Sequence, residues 1–326
     1  MRLARLKPVD TSANGCPAGT YFHLINRISG QPVDLPFGDA EKEKLIKTVH
    51  ELCQLYVIQP LACVVMGNHF HLLVHAPAEP PTSEEAIRRF HTYYGDKQVL
   101  TEKETLNLPE RLRDISKFMH SLEHPFTCWF NRTRPGQPRH GSLWQGRFKS
   151  VILEPQSVFS CLAYIELNPA RAKIVDDPAD YRFGSWSTWE ATGKHPFGKE
   201  ALDHLRACLG PEFKKDNSTE LRRHLRSEMA KILACEAGAT TAEVVQAREA
   251  AKIDPSLAEQ LTRRARHWSD GVIIGSRIFV MDIAARHRDK LAPEHPERIE
   301  KHRLGQLASS SDIAIFAWRN LQKNLT

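Results

Sequence analysis

The sequence predicts a protein of mixed α/β (α+β) class, and three observations lead to this prediction. Near the N-terminus, alternating and helical hydrophobic patterns follow one another in the order strand, helix, strand, strand. Gly67-Asn68 lies between two apolar runs, which indicates a β-hairpin because glycine can take the positive φ of a tight turn. Beyond about residue 195 the pattern is mostly helical.

The predicted elements of the first part of the chain follow one another with short breaks. They are a strand over Tyr21–Arg27, a helix from Asp39 to about Leu55, hairpin strands over Leu61–Val65 and His69–His75, a helix from Ser83, a polar connection over 95–108, a helical stretch from about Pro109 to Phe130 that Pro125 should kink or split, a strand over Phe148–Leu153, and a helix with Ser157 as N-cap that stops at Asn168-Pro169.

The second part of the chain begins at the glycines of residues 193–198. Helices are predicted over 221–237, 242–253 and 255–268, and the apolar segment 271–281 must pack inside. We therefore expect two regions: a domain over 1–192 with its core at about 18–190, and a mostly helical C-terminal region over 193–326.

Composition limits the classes of function. The 326 residues are 41% hydrophobic and 26% charged, typical of a chain that buries a core, and the net charge of +6 is compatible with an anionic partner. Seven scattered cysteines without a C-x-x-C pair indicate reduced thiols. The chain shows neither a signal peptide nor a membrane span, so we expect a cytoplasmic protein.

The second strand of the hairpin begins with His69-Phe70-His71. Side chains on a strand alternate with period two, so His69 and His71 share one face of the sheet. Two imidazoles on a stiff strand can bind one metal ion or one phosphate. Without other evidence, such a pair is more often an ordinary polar sheet face.

A basic segment follows the long helical stretch. No acidic residue occurs between Pro125 and Leu153, while aromatic and glycine residues interleave with cations, a composition that suits the backbone and bases of a nucleic acid. A solvated basic loop is the alternative. The candidate DNA-binding residues are Arg132, Arg134, Arg139, Trp144, Gln145, Arg147, Lys149 and, further on, Arg171.

Tyr164 and Asn168 lie one helical turn apart on the helix that precedes Pro169. A phenol and a carboxamide should thus project together. With His69 and His71 they suit a DNA phosphodiester as substrate: Mg²⁺ or Mn²⁺, held by the imidazoles and a side-chain oxygen, polarises the phosphate, and tyrosine attacks it to give a phosphotyrosine.

Three segments resemble a known family. Met66–Val74 (MGNHFHLLV) resembles the His-hydrophobic-His motif of single-tyrosine HUH transposases, which include the IS200-like enzymes. Gly141–Lys149 (GSLWQGRFK) and Tyr164–Ala172 (YIELNPARA) resemble later signatures of the REP-associated tyrosine transposase branch. The resemblance covers about residues 18–190, with the motifs in the family's order.

This resemblance implies a ferredoxin-like antiparallel sheet that carries the histidines. It also implies that His69 and His71 bind Mg²⁺ or Mn²⁺, that Tyr164 is the nucleophile, and that Asn168 takes the place of the third ligand, which is often glutamine in relatives. The implied substrate is single-stranded DNA beside a hairpin, cleaved to a 5′-phosphotyrosine by a monomer or homodimer.

Two other functions remain open at this stage. The chain could be a hairpin-binding or hairpin-processing descendant of such a transposase that mobilises nothing. It could also be a metal-dependent phosphoesterase that uses an activated water, although no carboxylate lies between Val57 and Ala78 to complete such a site. Replacing Tyr164 by phenylalanine separates the tyrosine enzyme from the water-using one.

Overall fold

The structure, a computed structural model, describes residues 16–30, 35–133, 140–210, 218–236, 268, 271–287, 304–309 and 314–319. Its strands are β1 Gly19–Arg27, β2 Gln59–Val65, β3 His69–Pro77, β4 Lys149–Leu153, β5 Gly271–Gly275, β6 Leu304–Ser309 and β7 Ala314–Arg319. Its helices are α1 Asp39–Leu55, α2 Ser83–Tyr94, α3 Glu102–Arg113, α4 Ile115–Thr133, α5 Pro155–Glu166, α6 Asn168–Arg171, α7 Ser185–Thr192, α8 Gly198–Leu209, α9 Ser218–Glu236 and α10 Arg277–Arg286.

The strands form one sheet in the order β2-β3-β1-β4-β5-β7-β6. The first four are antiparallel neighbours, connected as strand, helix, strand, strand, helices, strand. This order is the ferredoxin-like arrangement, so the mixed α/β class predicted for the chain is confirmed. β5 then adds to β4 in parallel, and β7 and β6 continue the sheet antiparallel.

The sheet has two covered faces. One face carries Tyr21, His23, His69, His71 and His75, and we call it the histidine face. It packs against α5, α7, α8 and α9, whereas the opposite face, which includes Phe22 and Leu72, packs against α1 to α4. Helices on both faces of a sheet allow each strand to bury its two sets of side chains.

The hairpin turn is present, but glycine serves a different purpose from the one predicted. The Met66 N–H donates to the His69 carbonyl oxygen at 2.8 Å and closes the turn. Gly67 is not among the glycines with positive φ. A Cβ there would instead lie 3.0 Å from Leu35 Cδ2, so the small residue leaves room for the neighbouring chain.

The predicted helical stretch over 109–130 is two helices, and its break is not at Pro125. α4 continues through Pro125, and the chain breaks at Asp114, whose Oδ1 accepts a hydrogen bond from the Ser116 N–H at 2.6 Å. α3 lies partly in the predicted polar connection, where Thr101 and Glu104 form a capping box. That box is the local signal for a helix start that the hydrophobic pattern missed.

α5 also begins earlier than predicted. Glu154 is the N-cap and Pro155 occupies the first turn, which suits proline because the first helical N–H groups lack partners. Ser157 is therefore inside the helix and not its cap. α5 ends at Glu166, and Asn168 and Pro169 begin the short helix α6, so the predicted stop is close to the observed end.

The C-terminal region contains helices, as predicted, together with strands that were not predicted. α9 matches the helix expected over 221–237, whereas those over 242–253 and 255–268 lie outside the described residues except for Trp268. The apolar segment 271–281 is β5 followed by the start of α10. Among the helices of the described residues, none is long and apolar enough to cross a membrane.

Candidate active site

The two predicted metal ligands, His69 and His71, lie two residues apart on β3 and on the histidine face of the sheet. β1 and β3 pair so that His69 lies opposite Arg27 and His71 opposite Ile25. On the other side of β1, Lys149 of β4 also lies opposite Ile25. Arg27 and Lys149 are exposed, so two cations border the imidazoles at this end of the sheet.

His71 is held by a hydrogen bond to a third histidine. Its Nδ1 lies 2.9 Å from Nε2 of His23, and His23 Nδ1 donates to the carbonyl oxygen of Trp268 at 2.7 Å. Burial lowers the pKa of His23 to about 3 and lowers the pKa of His71 well below its usual value. Both imidazoles are therefore neutral at physiological pH, the form that binds metals.

His69 is fixed in a similar way by its neighbour in the hairpin turn. The Asn68 Oδ1 oxygen lies 2.7 Å from His69 Nδ1, so the imidazole N–H donates to it and Nε2 keeps its lone pair. Burial, and then the positive charge of Arg27, lower the pKa of His69 to about 4. The rings of His69 and His71 have their centroids 5.1 Å apart.

Tyr164 on α5 faces these histidines. Its ring centroid lies 5.9 Å from that of His71 and 5.9 Å from that of His23. Trp268 stacks on the tyrosine with a centroid separation of 6.0 Å, and the Arg171 guanidinium lies 5.2 Å from the ring centroid. Tyr164 is thus half-buried, with aromatic rings and one guanidinium group around its phenol ring.

A buried carboxyl group two residues after the tyrosine anchors α5 to the sheet. The Ser185 hydroxyl donates to Glu166 Oε1 and accepts a hydrogen bond from the Cys63 backbone N–H at 3.0 Å. Burial raises the pKa of Glu166 to about 7. This connection from α5 through α7 to β2 sets the position of Tyr164 over the histidine face.

Asn168 is close to Tyr164, as the helical spacing predicts. Its Nδ2 donates to the Tyr164 carbonyl oxygen at 2.9 Å and to the Ile165 carbonyl oxygen at 3.1 Å. With the amide nitrogen bound to the last turn of α5, the Oδ1 oxygen is the atom that remains for a ligand role. Its function as the third metal ligand stays a prediction.

These residues fit a hard divalent ion with few protein ligands. Hydrogen bonds at both Nδ1 atoms leave Nε2 of His69 and His71 as lone-pair donors on one face, and outer hydrogen bonds of this kind are typical of metal-binding histidines. Mg²⁺ keeps several waters and needs few side chains. Among the described residues, no three His, Cys, Asp or Glu side chains form a metal-binding group, so a third ligand from this part of the chain would be of another type, such as Asn168.

Apart from Trp144, the predicted DNA-binding residues divide into three groups. Arg132, Gln145, Arg147 and Lys149 are exposed, and Arg171 is half-buried over Tyr164. Arg134 and Arg139 lie outside the described residues. Of the exposed residues, Gln145 lies beside the end of β1, since its N–H donates to the Arg27 carbonyl oxygen at 2.8 Å.

Trp144 does not have the exposed position that base stacking needs. It is only 7% exposed, and its ring packs against Phe37, Phe70 and Phe126 with centroid separations of 6.1, 5.4 and 5.9 Å. The burial argues against the DNA contact expected of Trp144. The indole is part of the core that supports the reverse side of β3.

We therefore expect Trp144→Ala to destabilise the fold by about 3–5 kcal/mol, because removing a buried aromatic ring leaves a cavity. Gln145→Ala, at the exposed neighbour, should change the free energy of unfolding by less than about 0.5 kcal/mol. Urea unfolding of both variants tests this. A stable Trp144→Ala protein with weakened DNA binding would restore the stacking interpretation.

A second histidine pair lies at the opposite end of the histidine face. The rings of His75 and His204 have centroids 4.2 Å apart, and the Tyr21 hydroxyl lies 3.0 Å from His204 Nδ1. Burial lowers the pKa of His75 to about 3 and that of His204 to about 4. This pair lies four residues, or about 13 Å, along β3 from His71.

This pair makes stability depend on pH. The unfolded chain takes up protons near pH 6.5 while the folded histidines stay neutral until about pH 3–4, so stability is lost as the pH falls through this window. Each such histidine contributes a slope of up to roughly 1.4 kcal/mol per pH unit. Unfolding free energies from pH 7.5 to 5 should show a shallower slope for His75→Phe than for the wild type. Equal slopes would contradict a neutral, buried His75.

Comparison with known proteins gives one structural likeness. No family model matches the sequence, and no curated protein matches it. A solved structure of a REP-associated tyrosine transposase bound to a REP hairpin aligns with 61% of this chain and 91% of its own, at 16% identity and a TM-score of 0.38. The chain is similar to a tyrosine transposase.

Three residues of the candidate site were not singled out in the sequence. His23 and Arg27 lie on the predicted first strand at positions that share a face, and this period-two spacing was the available signal. Trp268 lies more than 100 residues after Tyr164, and no local pattern connects it to the site. The structure places His23 and Arg27 on the same face as His69 and His71, and Trp268 contacts both His23 and Tyr164 there.

Proposed function

We propose that this protein is a metal-dependent endonuclease and strand transferase for single-stranded DNA near hairpins, with Tyr164 as its nucleophile. The observation that carries the proposal is the position of the Tyr164 ring beside His71, at a centroid distance of 5.9 Å, on the face that also carries His69. A nucleophile and two neutral imidazoles thus meet at one end of the sheet.

The reaction follows from these residue types. The Tyr164 phenol loses its proton and its oxygen bonds to phosphorus, while the bond from phosphorus to the 3′ oxygen breaks and that oxygen leaves as a hydroxyl. The products are a 5′-phosphotyrosine and a free 3′ end. Attack by another 3′ hydroxyl reverses the step on a new strand, and the bond energy is conserved.

His69, His71 and Asn168 are the residues that would hold Mg²⁺ or Mn²⁺. When bound, the ion supplies Lewis-acid polarisation of the scissile phosphate. Arg27, Arg147 and Lys149 provide positive charge for the DNA backbone along the same end of the sheet. The Arg171 guanidinium, 5.2 Å from the Tyr164 ring centroid, adds positive charge beside the nucleophile.

The polarity of cleavage tests this proposal. Hairpin oligonucleotides from the DNA beside the gene would carry a label at the 5′ or the 3′ end and be incubated with protein and Mn²⁺. We expect the 5′-labelled fragment to be released with a 3′ hydroxyl and the 3′-labelled fragment to remain attached to the protein. Release of both fragments contradicts tyrosine attack and favours the water-using phosphoesterase. Binding without cleavage favours the binding-only descendant.

A further inference from the structure

The second hydrogen bond of His23, to the Trp268 carbonyl, determines which ring donates in the buried hydrogen bond between His71 and His23. A backbone carbonyl only accepts hydrogen bonds, so the 2.7 Å contact with the Trp268 oxygen places a proton on His23 Nδ1. His23 is 0% exposed and its ring nitrogens bond to the Trp268 carbonyl oxygen and to His71, with no carboxylate to offset a charge, so its Nε2 has a lone pair and no proton. The 2.9 Å contact then requires His71 Nδ1 to donate.

This arrangement leaves His71 with its Nε2 unprotonated. His69 reaches the same state by a separate route, through Asn68. The two imidazoles of the motif therefore have matching tautomers, although one is fixed by an amide in the hairpin turn and the other by a histidine on the next strand. Tautomer and ring orientation of a metal-binding histidine are usually set by such outer partners.

We propose that His23 is a positioning residue for the metal site: supported by the Trp268 carbonyl, it holds His71 in the Nδ1–H tautomer and so directs His71 Nε2 toward the ion. This inference rests on the proposed function, because it assumes that the two motif histidines bind a divalent cation. It also gives the C-terminal region a part in the site, since Trp268 contributes both this carbonyl and the ring that stacks on Tyr164.

Two substitutions of His23 separate positioning from packing. Glutamine has an amide oxygen to accept from His71 and an N–H group to donate to Trp268, whereas leucine fills similar space with neither. We expect His23→Leu to weaken Mn²⁺ binding by about 10- to 100-fold, the usual cost of losing an outer partner, and His23→Gln to recover most of it. Binding is measured on the full chain from the electron paramagnetic resonance signal of free Mn²⁺. His75→Leu, on the same strand as His71 and away from the site, is the matched control.

Unchanged Mn²⁺ affinity in a folded His23→Leu protein overturns the positioning role while leaving the proposed function in place. A wild-type protein that binds no Mn²⁺ overturns both. A measurement on the unmodified chain covers the case in which His23→Leu does not fold. Long-range ¹H–¹⁵N spectra of histidine-labelled wild type should show the proton of His71 on Nδ1, and a proton on Nε2 would overturn the proposal.

Discussion

Tyr164→Phe should lower the rate of DNA cleavage by about 10³-fold or more, since it removes the oxygen that we propose as the nucleophile. Phenylalanine keeps the ring that contacts His71, His23 and Trp268, so the fold should be preserved. Single-turnover cleavage of a labelled hairpin oligonucleotide measures the effect.

Tyr94→Phe provides the matched control. Tyr94 is 43% exposed on α2, in the helical layer behind the opposite face of the sheet, and its substitution should leave cleavage unchanged. Equal melting temperatures for both variants and the wild type show that folding is unaffected. Cleavage by Tyr164→Phe at the wild-type rate would remove Tyr164 from the nucleophile's role.

Replacing His69 and His71 should also lower the rate of DNA cleavage strongly. His69→Ala removes one of the two proposed histidine ligands and should reduce cleavage by at least about 100-fold at limiting Mn²⁺, with partial recovery as Mn²⁺ is raised. The double variant His69→Ala/His71→Ala should not recover at any Mn²⁺ concentration, because no imidazole of the motif remains. The measurement is the cleavage rate against Mn²⁺ concentration.

His120→Ala is the control for this series, because His120 is an exposed histidine on α4 in the layer that covers the opposite face. It should follow the wild-type Mn²⁺ curve. A double histidine variant that is folded and cleaves with the wild-type Mn²⁺ dependence would show that the metal binds elsewhere. The same assay on Asn168→Ala tests the predicted third ligand.

The parts of the site that sequence reasoning found depend on local spacing. His69 and His71 share a face because strands alternate, and Asn168 reaches the Tyr164 carbonyl oxygen because helices repeat about every four residues. His23 depends on the register between β1 and β3, strands 41 residues apart in the chain, where a shift of one residue would move it to the opposite face. Nothing in the first strand alone fixes that register.

The errors have physical causes of the same kind. Composition identified the basic segment but could not distinguish an exposed indole from a buried one, and Trp144 proved to be a core residue. Hydrophobic period indicated the helices of the C-terminal region, but β5 is defined by its pairing with β4, about 120 residues earlier. The burial of Trp144 and the pairing of β5 both depend on contacts between segments that are distant in the sequence. Local sequence patterns contain no information about such contacts.

Mass spectrometry of the protein–DNA adduct tests the central claim most directly. Protein incubated with Mn²⁺ and a hairpin oligonucleotide is denatured, then digested with nuclease and trypsin. Residues 150–171 form one tryptic peptide, bounded by Lys149 and Arg171, in which Tyr164 is the one tyrosine. We expect this peptide to carry a 5′-linked nucleotide on Tyr164. An adduct on another residue, or cleaved DNA without any adduct, would contradict the account.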